Sequence, residues 1–158
     1  MIKAKELVKF VKSKVGNVNY VYGAKQSKSS PKGEPLGSNT YKVLKKLYPN
    51  YVWDSDVKKV GTVCVDCSGL IGWCLGLQLN SQGYYNIAKK VHPIKTIKDA
   101  PVGVAVWRKG HIGVYIGLSR YGNPYCVEAR GSQYGVVKSR IDKRDFTHWF
   151  ELPTVDYK

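Results

Sequence analysis

The residues with nucleophilic potential gather in one stretch, Cys64-Val65-Asp66-Cys67-Ser68-Gly69-Leu70-Ile71-Gly72-Trp73-Cys74-Leu75-Gly76. Its polar Asp66-Cys67-Ser68 step opens a segment whose apolar residues Leu70, Ile71, Cys74 and Leu75 recur at helical spacing. Cys67 therefore falls in the first turn of a predicted core helix. Unpaired backbone N–H groups and the positive end of the macrodipole favour negative charge there. A thiol so placed tends toward the thiolate, the form that attacks an electrophile. The competing reading is a small buried hydrophobe, the usual fate of a free cysteine.

A cysteine nucleophile needs a base within hydrogen-bond reach, and the base needs a third group to fix its tautomer. His92 precedes Pro93 in a loop, and His148 lies in an aromatic tail beside Trp149. His111 follows Gly110 at the start of a predicted strand, where its ring can reach past the end of a sheet, and it is the candidate base. The next predicted strand, Tyr125 to Ala129, carries Glu128 in an otherwise apolar run. A carboxylate there is costly unless paired. His111 is one natural partner; Arg130 and Arg140 are the competing ones.

A metal site would use the same residues. Cys64-x-x-Cys67 has ligand spacing, and His111 with Cys74 or Cys126 would complete four ligands. A zinc ribbon, however, needs a second closely spaced pair, and a thiol–disulfide centre differs in its intervening residues, here Val65-Asp66. The reading adopted is no metal and no cofactor.

These groups have to be positioned by the elements around them. Residues 3–15 read as an amphipathic helix with Ala4, Leu7, Val8, Val11 and Val15 on one face and Gly16 at its stop. Asn19 to Ala24 is a short extended piece, and 25–38 a Lys/Ser/Gly/Pro-rich loop. A helix over about 40–48 would bury Val43, Leu44 and Leu47, with Pro49 beyond its end. Ser81 to Lys90 reads as a further helical turn broken by Pro93. From Val102 the period changes to that of strands: 102–107, 111–117, 125–129 and 135–138, joined by short Gly-containing turns. Helices first and an antiparallel meander second is the α+β pattern, in one domain spanning 1–158.

The chain of 158 residues has 26 Lys+Arg against 11 Asp+Glu, a net charge of +15, which points to a polyanionic partner. The basic residues come as scattered pairs such as Lys45-Lys46 and Lys89-Lys90, with no zinc-finger or RNP-like pattern that would single out nucleic acid. No secretory signal and no apolar run of transmembrane length is visible. The expectation is a chain made in the cytoplasm without a signal peptide, monomeric, and not stably inserted in a membrane.

Asp66-Cys67-Ser68-Gly69-Leu70 followed by Gly110-His111-Ile112-Gly113-Val114-Tyr115-Ile116-Gly117 resembles the two signature blocks of the NlpC family of papain-like cell-wall peptidases. The upstream Tyr20-Val21-Tyr22-Gly23 is similar to that family's Tyr-x-x-Gly element. The resemblance implies a papain-like α+β fold, with the cysteine helix packed on an antiparallel sheet. It also implies hydrolysis of an amide bond in peptidoglycan, by a stem-peptide endopeptidase or an N-acetylmuramoyl-L-alanine amidase. Carried over by motif, Cys67 is the nucleophile, His111 the base and Glu128 the orienting group. Tyr20, Asp66 and Ser68 match substrate-lining positions. The chain departs from the pattern in three places. The third polar residue is Glu128 where the family has His, Asn or Gln more often. Gly103-Val104-Ala105 replaces the usual Gly-Asp-Leu, and residues 25–60 look like an insertion near the cleft. The insertion, the Glu128-to-Ser132 segment and the Trp149 tail are similar to catalytic domains of phage lysins of Gram-positive hosts. Such a lysin acts on the wall after release, with anionic wall polymers as electrostatic partners and no separate wall-binding domain in these residues. The alternative from another class is a non-catalytic cationic module that binds cell wall or nucleic acid.

Overall fold

The strand-period half of the chain folds into the sheet that organises the protein. In the computed structural model, which describes residues 1–158, the meander comprises β5 (Ala105–Arg108), β6 (His111–Leu118), β7 (Pro124–Ala129) and β8 (Val136–Arg140). Two strands not anticipated from the sequence extend it: β9 (His148–Phe150) pairs with β5, and β4 (Val91–Pro93) pairs with β9. The six-stranded antiparallel order is β4-β9-β5-β6-β7-β8. Three-residue strands show no alternation of their own, and β9 is recruited because Ala105 to Trp107 offers a free edge opposite Phe150 to His148. Pro93 is part of β4 rather than only a breaker, which an edge strand tolerates.

Before the sheet come β1 (Ile2–Lys3), α1 (Ala4–Ser13), β2 (Asn19–Tyr20), α2 (Ser38–Leu47), β3 (Cys64–Val65), α3 (Cys67–Leu75) and α4 (Ser81–Ile87), with β10 (Val155–Asp156) returning at the C-terminus to pair with β1. Helix α1 ends at Ser13, short of the expected 15, while Leu7 and Val11 are buried as read. Helix α3 is buried from Ser68 to Leu75 on all sides, as befits a helix apolar all round. It and α1 cover one face of the sheet, where Leu7, Val11, Leu70 and Ile71 join Ile112, Val114 and Val127. The other face is covered by the 3-10 helix Ile94–Asp99 and the segment after β8, through Ile97, Ile141, Phe146 and Trp149. No helix is long and apolar enough to cross a membrane.

Residues 25–60 build a small core of their own from Leu36, Tyr41, Leu44 and Val52 against Val21, Ala24 and Cys64. The face that α2 buries differs from the expected one. Tyr41 and Leu44 point inward, whereas Val43 and Leu47 are 55% and 62% exposed. The reason is local: the Tyr41 hydroxyl donates to the Trp53 carbonyl at 3.1 Å, and Leu44 and Tyr48 sit over Gly23. Rotating α2 to bury Val43 and Leu47 would break both contacts.

A buried ion pair fastens this region to the rest. In the 3-10 helix Asp54–Lys59, Asp56 is fully buried. Its carboxylate accepts from the Lys59 ammonium at 2.6 Å, the Trp53 amide at 2.8 Å and the Ser132 hydroxyl. The Lys59 ammonium also meets the Tyr20 carbonyl at 2.6 Å and the Ser132 carbonyl at 2.8 Å. Breaking a buried pair by removing one partner costs about 3–5 kcal/mol. Lys59→Met is therefore expected to lower the Tm by roughly 10 °C, with part recovered in Asp56→Asn/Lys59→Met. Thermal unfolding indistinguishable from the parent would mean that this pair fastens nothing.

Candidate active site

The nucleophile's position is set by how β3 stops. Asn19 and Tyr20 of β2 pair in parallel with Cys64 and Val65, and Asp66, still extended but past the paired residues, caps α3. Its carboxylate accepts from the Gly69 amide at 2.7 Å, the geometry that makes Asp a strong N-cap. Gly69 is required there, because a Cβ would fall 2.6 Å from an Asp66 oxygen and 2.7 Å from the Ala24 carbonyl. Asp66 also accepts from the Gly23 amide at 3.2 Å and holds the Lys25 ammonium at 2.7 and 2.8 Å. The same ammonium donates to the Ser68 hydroxyl at 3.0 Å.

Cys67 is thus the first residue of α3, partly exposed, with its sulfur enclosed by packed atoms. Burial, and then the Asp66 carboxylate, push its thiol up to about 11, against the opposing pull of the Ile112 amide, Lys25 and the Ser68 amide. The expectation of a resting thiolate is corrected by this balance. The helix start supplies amides, but the capping carboxylate beside the sulfur and the loss of water outweigh them. Tyr20 is half-buried close by. Burial, and then the charges it would share with Cys67 and Asp66, hold its phenol well above the ordinary value.

His111 opens β6 after the Lys109-Gly110 turn, opposite Arg108 of β5. Its ring is buried and stacks on Phe146 with centroids 5.7 Å apart. Its Nε2 is 2.7 Å from Oε1 of Glu128. A carboxylate accepts only, so Nε2 carries a proton, and in the neutral imidazole the lone pair is then on Nδ1. The sulfur of Cys67 meets β6 at the Ile112 amide, the residue next to His111. No hydrogen bond joins thiol and ring at rest.

Glu128 on β7 is fully buried. Gly113 makes room for it, since a Cβ there would stand 3.2 Å from the Glu128 Cβ and 3.1 Å from the Val127 carbonyl. Beyond His111, the carboxylate takes two bonds from the Arg144 guanidinium, Nε to Oε2 at 2.9 Å and Nη2 to Oε1 at 2.8 Å. The Cys126 thiol lies 3.8 Å from Oε2. Desolvation opposes ionisation, but the hydrogen bonds from His111 and Arg144 outweigh it and hold the carboxyl at about 2.

Across the whole fold, a search of solved structures gives a likeness to the P60 domain of an antigen of M. avium subspecies paratuberculosis. It has 22% identity over 94% of this chain and 96% of that one, with a TM-score of 0.53. The chain has the fold of a P60 domain. It is the α+β, papain-like NlpC type expected from the sequence. Neither a family model nor a curated protein sequence matches the chain.

On this P60 fold, His111 of β6 and Glu128 of β7 are bonded side by side, Cys67 of α3 meets β6 one residue on, at the Ile112 amide, and Tyr20, Asp66 and Ser68 lie around the helix start. Neither cation weighed as the rival partner of Glu128 reaches it. Arg130 stacks on Tyr134, and Arg140 pairs with Asp142 at 2.6 Å. The guanidinium that does reach it, Arg144, was not anticipated, and neither were Lys25 and Phe146. Arg144 follows the 3-10 turn Ile141–Lys143, and no spacing along the chain links it to position 128. All four cysteines are free, and the Cys64 sulfur faces the Thr62 hydroxyl at 3.5 Å. No group of three or more His, Cys, Asp or Glu is arranged to hold a metal ion.

Proposed function

We propose that the chain is a cysteine hydrolase that cleaves an amide bond of peptidoglycan, as a stem-peptide endopeptidase or an N-acetylmuramoyl-L-alanine amidase of the phage-lysin type. The observation that carries this reading is the ordered imidazole. The 2.7 Å bond of Nε2 to buried Glu128 leaves the basic nitrogen free, one residue from the amide that the Cys67 sulfur faces.

The chemistry runs as a general-base attack. Nδ1 of His111 takes the thiol proton as the sulfur adds to the scissile carbonyl carbon. Negative charge on the carbonyl oxygen is met by backbone N–H groups at the start of α3, including that of Cys67. The imidazolium then gives its proton to the departing amine, leaving a thioester, which water hydrolyses with His111 again as base. Glu128 stays ionised throughout and stabilises the imidazolium while it exists. Of the substrate-lining positions that the sequence motif implies, Tyr20 is half-buried near Cys67 and keeps that role, while Asp66 and Ser68 are buried and hold the helix start that carries the nucleophile. The +15 charge draws the monomeric protein to anionic wall polymers once it is released from the cell that made it.

The test is incubation with purified peptidoglycan of defined composition and mass spectrometry of what is released. A new amine and carboxylate at one stem position supports the reading and identifies the bond. Tight, salt-sensitive binding without any released fragment would instead leave a cationic wall-binding module, which the net charge alone would explain.

A further inference from the structure

Resting on the assignment of His111 and Glu128 above, we infer that Arg144 is a positioning residue that acts through Glu128. Its guanidinium fork fixes the carboxylate against the imidazole and offsets its charge, so that His111 remains a base.

The geometry is that of a shared oxygen. Oε1 of Glu128 accepts from both His111 Nε2 at 2.7 Å and Arg144 Nη2 at 2.8 Å, while Arg144 Nε holds Oε2 at 2.9 Å. Two parallel bonds fix the plane of a carboxylate in a way one bond does not. The carboxylate has no exposure to solvent, and Arg144 is itself largely buried.

The charged and polar surroundings are few. Glu128 is faced by His111 from β6, by Arg144, by Cys126 on its own strand and by Ser139 of β8. Around His111 stand Glu128 and Phe146 and, across the hairpin, Arg108, which is turned to Asp145 at 3.1 Å; the Cys67 sulfur lies at the next residue of the strand, by the Ile112 amide. Arg144 has its own second, looser contact with Asp145 at 3.9 Å. Arg144 is therefore the cation bonded directly to Glu128. Without it, an uncompensated buried carboxylate favours the imidazolium, and an imidazolium cannot accept the thiol proton. Lysine would restore the charge but not the fork.

The experiment compares the full chain with Arg144→Met, Arg144→Lys, Glu128→Gln and the Glu128→Gln/Arg144→Met pair, each checked for folding by circular dichroism. Two readouts are taken: the pH profile of kcat/KM on purified cell walls, and the titration of the His111 ring by NMR. Arg144→Met should move the acid limb and the His111 titration up by about one pH unit and lower the plateau about tenfold. Arg144→Lys should return the limb toward its place without restoring the plateau. In the Glu128→Gln background, the second substitution should move neither readout further, because the coupling runs through the carboxylate. Should Arg144→Met not fold, the Arg144→Lys profile and titration decide the matter alone. A limb and a titration that do not move, or equal losses in both backgrounds, overturn the inference. If the walls are not cut at all, the function proposed above fails, while the NMR titration still reports on Arg144.

Discussion

Cys67→Ala should abolish wall hydrolysis and leave the fold untouched. The residue is the first of α3 and partly exposed, and alanine is the best helix former, so the Tm should stay within about 2 °C of the parent. Activity should fall by at least about 10⁴-fold, as in enzymes whose nucleophile and base work as one unit. Full-rate hydrolysis by the folded variant would end the nucleophile assignment. The thiol's resting state adds a second measurement. Held up at about 11 by burial and by Asp66, it is on the order of 10⁻⁴ ionised at pH 7. Alkylation by iodoacetamide should therefore be slow at neutral pH and climb steadily above pH 9. A plateau already reached at pH 6 would mean a preformed thiolate–imidazolium pair and a different first step.

Glu128→Ala should destabilise the fold strongly. It would leave the Arg144 fork and the His111 N–H with no acceptor in a site closed to solvent, a loss on the order of 3–5 kcal/mol. Differential scanning calorimetry should find the Tm lower by about 10 °C or more; a change of a degree or two would show that water fills the gap without cost. The same carboxylate sets an acid limit. Its folded value of about 2 lies below its ordinary 4.5, so the unfolded state binds more protons in that interval. The stability this supplies is complete above about pH 4.5 and is lost as the pH falls toward 2, an amount on the order of 3 kcal/mol. Chemical denaturation of the parent at pH 7 and pH 3 should show about 2 kcal/mol of that loss, since pH 3 lies part-way between the two values, and Glu128→Gln should show much less of it.

The Asp66-to-Gly76 stretch was legible because local chemistry dictates it. A polar Asp66-Cys67-Ser68 step followed by apolar residues at helical spacing marks the start of a buried helix, while the Asp66 cap and the need for Gly69 emerge only in the folded structure. The strands β5 to β8 were legible for a similar reason, since alternation and Gly-containing turns are short-range signals. The weak places were those where a residue's state depends on a neighbour far along the chain. His148-Trp149-Phe150 is a strand only because β5 has an open edge. Val43 and Leu47 look like core, yet lie outside because Tyr41 and Leu44 found Trp53 and Gly23 first.

The candidate site divides in the same way. Residue types, their order along the chain and the resemblance of two blocks to the NlpC family single out Cys67, His111 and Glu128 as candidates. The partner of Glu128 and the charge on the sulfur were decided by tertiary structure. Arg144 reaches the carboxylate by way of the 3-10 turn after β8, while Arg130 and Arg140, nearer in sequence, turn to Tyr134 and Asp142. The thiol is protonated at rest because folding removes water from it and sets the Asp66 carboxylate alongside. Desolvation and through-space charge are sums over everything packed around an atom, and a one-dimensional pattern does not contain that sum.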